Sequence, residues 1–205
     1  MLGRIADWLT ALRRSVAWVA KIMGYLAGWG FILCAVFITF DVLARRFFAF
    51  SSQSTTEITG YALAFGISWA LAHTLAARSH IRIDVVINHL PLRLRSAMHL
   101  VSLAALGVFM GFIAWGAYQL VDESLLFGAT DISLLRTPLW IPQGLWAGGI
   151  AVFLLLIAVM FLESLVLLLA GRGAEVEARL HARTYDEEAA EALHAVGADT
   201  AEKLR

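Results

Sequence analysis

In a chain of 205 residues, 60% hydrophobic content and a mean hydropathy of +0.75 exclude an ordinary soluble domain. The 16 Lys and Arg residues cancel the 16 Asp and Glu residues. That sum identifies no partner and gives no sign of the basic surface a nucleic-acid binder needs. The single cysteine, Cys34, lies in an apolar stretch and has no internal disulfide partner, so it reads as a small buried apolar residue.

The first 21 residues carry Arg4, Asp7, Arg13, Arg14 and Lys21 among Ile5, Trp8, Leu9, Leu12, Val16 and Val19. These apolar residues recur at three- and four-residue spacings and line one face of a helix. A basic amphipathic helix along the membrane surface is predicted for 1–21, with packing on a partner subunit as the alternative. A cleavable leader would instead place its apolar core directly behind a short basic region.

Four apolar stretches follow, at 22–42, 58–77, 97–121 and 143–170. Each matches the ~20 apolar residues that carry a helix across a hydrocarbon core. Backbone in lipid must satisfy its own polar groups, which makes these stretches helices. Small residues stripe three of them: Ala62, Gly66 and Ala70, then Gly107 and Gly111, then Gly144 and Gly148. Such spacing lets helices approach closely in a packed bundle.

Thirteen of the 16 basic residues lie in 1–21, between the second and third stretches, or beyond 170. Positive loops stay cytoplasmic, which puts both termini inside and an even number of spans between them. In the tail, Thr184 is followed by Asp186, Glu187 and Glu188, a helix-start pattern, so a short solvated helix is predicted there. The sum is an all-α membrane protein: an interfacial helix at 1–21, a four-helix transmembrane domain at 22–170 and a charged, helical cytoplasmic tail at 171–205.

Ionisable groups within membrane helices are costly, so each needs a partner or a function. Asp41 and Arg45 stand four residues apart near the outer end of the first span, on one helix face. They read either as an ion pair anchoring that end at the headgroups or as a docking contact for another subunit. His73 and Glu163 each lie about two turns, roughly 10 Å, before the inner end of their spans. At matched depth they can bond each other across the bundle; alternatively, Glu163 faces a groove filled by another protein. His99 opens the third span near the level of His73, and two such histidines can ligate a haem iron. A haem-bearing membrane anchor of a redox enzyme is therefore the rival reading, against two interfacial histidines bonded to water or backbone. The sequence offers no catalytic motif, metal-spaced cluster, phosphate-binding glycine loop or broken helix with a midplane site. It reads as a non-enzymatic accessory subunit without cofactor or metal.

Three segments, in order, carry a resemblance. Asp41-Val42-Leu43-Ala44-Arg45-Arg46-Phe47-Phe48 closes the first span, with Glu57 at the mouth of the second. His80-Ile81-Arg82-Ile83-Asp84 follows the second span, and Thr137-Pro138-Leu139-Trp140-Ile141-Pro142 leads into the last. Together, over about residues 20–170, they resemble the small permease subunit of tripartite ATP-independent periplasmic (TRAP) transporters, the DctQ-like family. Ser54, Thr55 and Thr56 depart from the aromatic residue that often precedes the family glutamate, and Ala70 from a frequent glycine. The resemblance implies a scaffold in the bacterial inner membrane beside a large permease subunit that carries the substrate and ion sites. A periplasmic binding protein would deliver an organic acid or similar small solute, and membrane lipids would be the remaining partners. The resemblance further implies subunit or binding-protein contacts at Asp41, Arg45 and Glu57. His80 and Asp84 would orient an interfacial helix or lie solvated at the headgroups. Pro138, Trp140 and Pro142 would set the start of the last span.

Overall fold

The computed structural model describes residues 2–50, 52–78, 91–133, 135–180, 189, 190 and 193. Its named helices are α1 (Leu2–Phe48), α2 (Thr55–Ala76), α3 (Leu92–Phe127), α4 (Trp140–Leu169) and α5 (Gly173–Leu180). The first four are long and apolar enough to cross a membrane, as the hydropathy predicts. His80, Asp84 and the Thr184 helix-start pattern lie outside the described residues.

α1 passes the 21/22 boundary without a break. At 1.5 Å per residue its 47 residues extend about 70 Å, more than twice the ~30 Å of a hydrocarbon core. Nothing in this stretch interrupts the helix, since no proline lies within it. Its early turns bury Ala6, Leu9, Val16 and Ala20, with Leu12 half-buried, whereas Ile5, Trp8 and Val19 of the predicted apolar face point outward.

α4 is the hub. It touches α1, α2, α3 and α5, and buries 44% of its apolar window against 11–22% for the other spans. Phe153, Leu156, Ile157, Met160 and Leu167 are its core-facing residues. Among the described elements, α3 meets only α4 and α5. The arrangement is therefore a three-helix group of α1, α2 and α4 with α3 attached to one flank, rather than a closed four-helix bundle.

Close approaches occur at particular glycines. A Cβ on Gly66 would collide with the Phe31 ring, and one on Gly149 would lie 2.8 Å from the Ser68 carbonyl carbon. The contact between α2 and α4 thus runs through Gly149, not through the predicted pair Gly144 and Gly148, which have open space beside them. On α3, Gly107 approaches Ile157, while Gly111 is unconstrained.

The start of α1, the end of α2, the start of α3 and the end of α4 gather at one end of the molecule with α5, here called the termini end. Gly24 lying against His73, and Phe31 against Gly66, fix the antiparallel course of α1 and α2. The α1–α2 and α3–α4 connections form the opposite, loop end. α4 closes in a Schellman turn: Arg172 N–H donates to Leu167 O at 2.9 Å and Gly171 N–H to Leu168 O at 3.0 Å, with Gly171 at φ +74. That turn folds α5 back beneath α3 and α4, burying Val176 and Leu180.

Candidate functional site at the polar ends of the molecule

The buried ionisable side chains collect in two layers. At the loop end, Asp41 is only 2% exposed. Its Oδ2 accepts from Arg45 Nη2 at 2.6 Å, and its Oδ1 accepts from the Ser52 amide at 2.9 Å. The second bond pins a tight α1–α2 connection in which Ala49 and Gln53 hold positive φ. Asp41 is thus enclosed by its own chain, while Arg45, 61% exposed, presents its guanidinium outward. Of the predicted contact residues, Arg45 reaches the surface and Asp41 does not.

Glu57 turns toward the α3–α4 connection, where Thr137 Oγ1 donates to its Oε1 at 2.7 Å. One turn further, Tyr61 donates to Asp131 Oδ2 at 2.5 Å. That bond, reinforced by backbone amides of Ser133 and Ile132, holds the Asp131 carboxyl below its ordinary range despite partial desolvation. The connection is a small hairpin: Thr130 bridges Pro138, Asp131 N–H donates to Thr137 O, and Leu139 N–H donates to Ala129 O. Trp140 opens α4, and Pro142 lies in its first turn, where an amide has no helical partner to lose.

At the termini end, Glu163 is 2% exposed and surrounded by donors from three directions. Thr10 Oγ1 donates to Oε1 at 2.6 Å, Arg13 Nε lies 2.8 Å from Oε2, and Arg179 Nη1 donates to Oε1. On the other side of α5, Glu177 lies 2.8 Å from Arg95 Nε and 3.5 Å from His99 Nε2. Ser96 Oγ adds a bond to Gly173 O at 3.1 Å. The two acids thus tie α5 to α1, α3 and α4. Glu163 lies 23 residues beyond Trp140, about 34 Å along the helix, so a span starting at Trp140 reaches the far edge of the hydrocarbon there.

These partners correct the predicted pairing of His73 with Glu163. His73 packs over Gly24 and its ring stands 6.4 Å from that of Tyr25 on α1. The two histidines of the haem reading also part company: His73 turns to α1, and His99 turns to Glu177 on α5. Neither faces the other, and the haem-anchor alternative has no support in this geometry.

Thr10, Arg13, Tyr61, Asp131, Arg179 and Glu177 join these layers without a sequence motif that marks them as site residues. A signal existed for Tyr61, four residues after Glu57 and hence on its face. For the others no local pattern exists, because Thr10 and Glu163 are 153 positions apart and Arg13 and Glu163 are 150 apart.

Neither the curated proteins nor the solved structures yield a match. The family model for the DctQ component of tripartite ATP-independent periplasmic transporters matches residues 34–167, from within α1 to near the end of α4, and the chain belongs to that family.

Proposed function

We propose that this membrane subunit is a non-catalytic scaffold for the large permease of a TRAP-type secondary transporter. In this reading the large subunit carries an organic acid or similar small solute by ion-coupled uptake, after a periplasmic binding protein delivers it. The observation that supports it is the use of the buried charges. Asp41, Glu163 and Glu177 each bond to another part of this same chain, which makes the subunit a braced body. Apolar side chains stay exposed along α1 and α3, among them Phe40, Phe47, Phe109 and Phe112, and offer faces for lipid and for the large subunit. In this reading the subunit lies in the inner membrane with the termini end in the cytoplasm and the loop end in the periplasm, an orientation that the distribution of Lys and Arg supports.

Arg45 is the residue proposed to meet a partner at the periplasmic surface, with Asp41 fixing its position from below. Glu57 supports the neighbouring hairpin through Thr137. Mild-detergent co-purification with the large permease, followed by uptake in reconstituted vesicles, tests the reading. Arg45→Ala is expected to leave the complex intact and lower uptake. Failure of the wild-type chain to bring down a polytopic permease would sink the scaffold role, and loss of assembly in Arg45→Ala would move the residue to the subunit interface.

A further inference from the structure

Between α1, α2, α4 and α5 at the termini end lies a cleft of about 240 Å³ lined by three arginines, Arg13, Arg78 and Arg179. Ala17, Leu156 and Met160 form apolar walls beside them. We propose that this cleft binds a phosphate group, supplied by the headgroup of an anionic phospholipid. The inference rests on the orientation proposed above, which places the cleft at the inner leaflet.

Three features point to this ligand. The first is charge. Among the described residues Glu163 is the carboxylate bonded to both Arg13 and Arg179, so there one acid serves two guanidiniums, and Arg78 instead donates Nη1 to the Ala178 carbonyl at 3.1 Å. Glu175 lies 3.8 Å from Arg179 Nη2 but is itself held by two bonds from Arg172. A guanidinium carries five N–H donors, so these internal bonds leave others to meet an anion in the bidentate way that suits phosphate.

The second is backbone. Arg78 sits just past the end of α2 at φ +57, a conformation that glycine adopts more readily at a helix end. Its amide bonds Leu75 O at 3.0 Å, so the turn is a left-handed cap carrying an arginine where glycine would be less strained. The guanidinium is what the position gains from that choice.

The third is place and size. Glu163, which organises two of the arginines, stands at the edge of the hydrocarbon layer, where headgroups lie. The cleft is smaller than the ~300 Å³ at which pockets for drug-sized ligands begin, and its walls are apolar on the side of the bilayer. Basic pockets between membrane helices at the cytoplasmic surface are suited to anionic headgroups.

The test uses the full chain in a neutral mild detergent, titrated with phosphatidylglycerol, phosphatidylcholine and inorganic phosphate, with retention read by native mass spectrometry. Phosphatidylglycerol is expected to be held more strongly than phosphatidylcholine. Arg78→Gly should lower that preference about fivefold, the weight of one basic group at an anionic surface. Glycine accepts the φ of this position, so helix content and melting temperature should hold in the variant. Loss of the lipid on adding millimolar phosphate would assign the site to free phosphate, and its persistence to the headgroup; both sustain a phosphate site. Equal retention of the two lipids, or an unchanged preference in Arg78→Gly, overturns it. No permease, uptake or orientation enters the measurement, so its failure is separable from failure of the scaffold reading.

Discussion

Tyr61 and Asp131 show how single side chains hold the loop end together. The phenol hydroxyl donates to a carboxylate 70 positions away, and that bond favours the charged acid. A carboxyl whose native pKa is depressed contributes stability that is fully present above its unfolded value, here the ordinary 3.8. The contribution is lost as pH falls from there through the lowered native value. Wild type should therefore lose melting temperature in that acid range more steeply than Tyr61→Phe, in which Asp131 titrates closer to normal. Parallel acid limbs for the two proteins would refute the coupling. Glu163 is the counterpart at the other end. Removing its charge leaves Arg13 and Arg179 facing each other with no acid between them, and an unpaired buried charge is expensive. Because those arginines are 29% and 28% exposed and can rehydrate in part, Glu163→Gln is expected to cost about 3 kcal/mol, the low end for a broken buried pair. Denaturant titration in detergent gives the value, and a cost below that of an ordinary surface substitution would contradict the arrangement.

Between elements, packing register decides more than composition does. Gly148 and Gly149 are neighbours in α4, yet the former has nothing within 4 Å of a built Cβ and the latter meets Ser68 backbone. Gly149→Ala should force α2 and α4 apart and cost about 1–3 kcal/mol, as overpacking does in a filled core. Gly148→Ala should be nearly neutral or slightly favourable, since alanine is the better helix former. Equal thermal shifts in the two variants would argue against this register. The contrast also explains what could be read in advance. Four spans were legible because hydropathy is a property of each stretch by itself, and the Asp41–Arg45 pair because a four-residue spacing is local. The Gly144–Gly148 stripe misled because small residues mark a possible contact without naming its partner helix. Continuity of α1 was hidden by a change of composition near residue 21 that is not a change of conformation. Glu163 was visible as a costly buried acid, but its partners come from α1 and α5, and no pattern within α4 points to them.

Taken as a whole, the molecule depends on α5 more than its eight residues suggest. α3 reaches α1 and α2 through no direct contact among the described residues and is held only by α4 and α5. The hold at α5 includes Arg95 on Glu177, with His99 beside it, and Ser96 on Gly173, above the buried Val176 and Leu180. A chain ending at Arg172 loses these contacts while Thr10 and Arg13 still reach Glu163. Two such polar contacts at about 1 kcal/mol each correspond to roughly thirtyfold in a local opening equilibrium. Amide exchange in the first turns of α3 should accelerate by that order in the shortened chain, with α1 and α2 changing far less. Uniform acceleration through all four spans would mean that α5 supports global stability rather than the seating of α3. No change in α3 would mean that α4 alone suffices to hold it. The selective outcome would make α5 a strap that sets where the outlying helix stands, and with it the width of the face that the subunit offers to a partner.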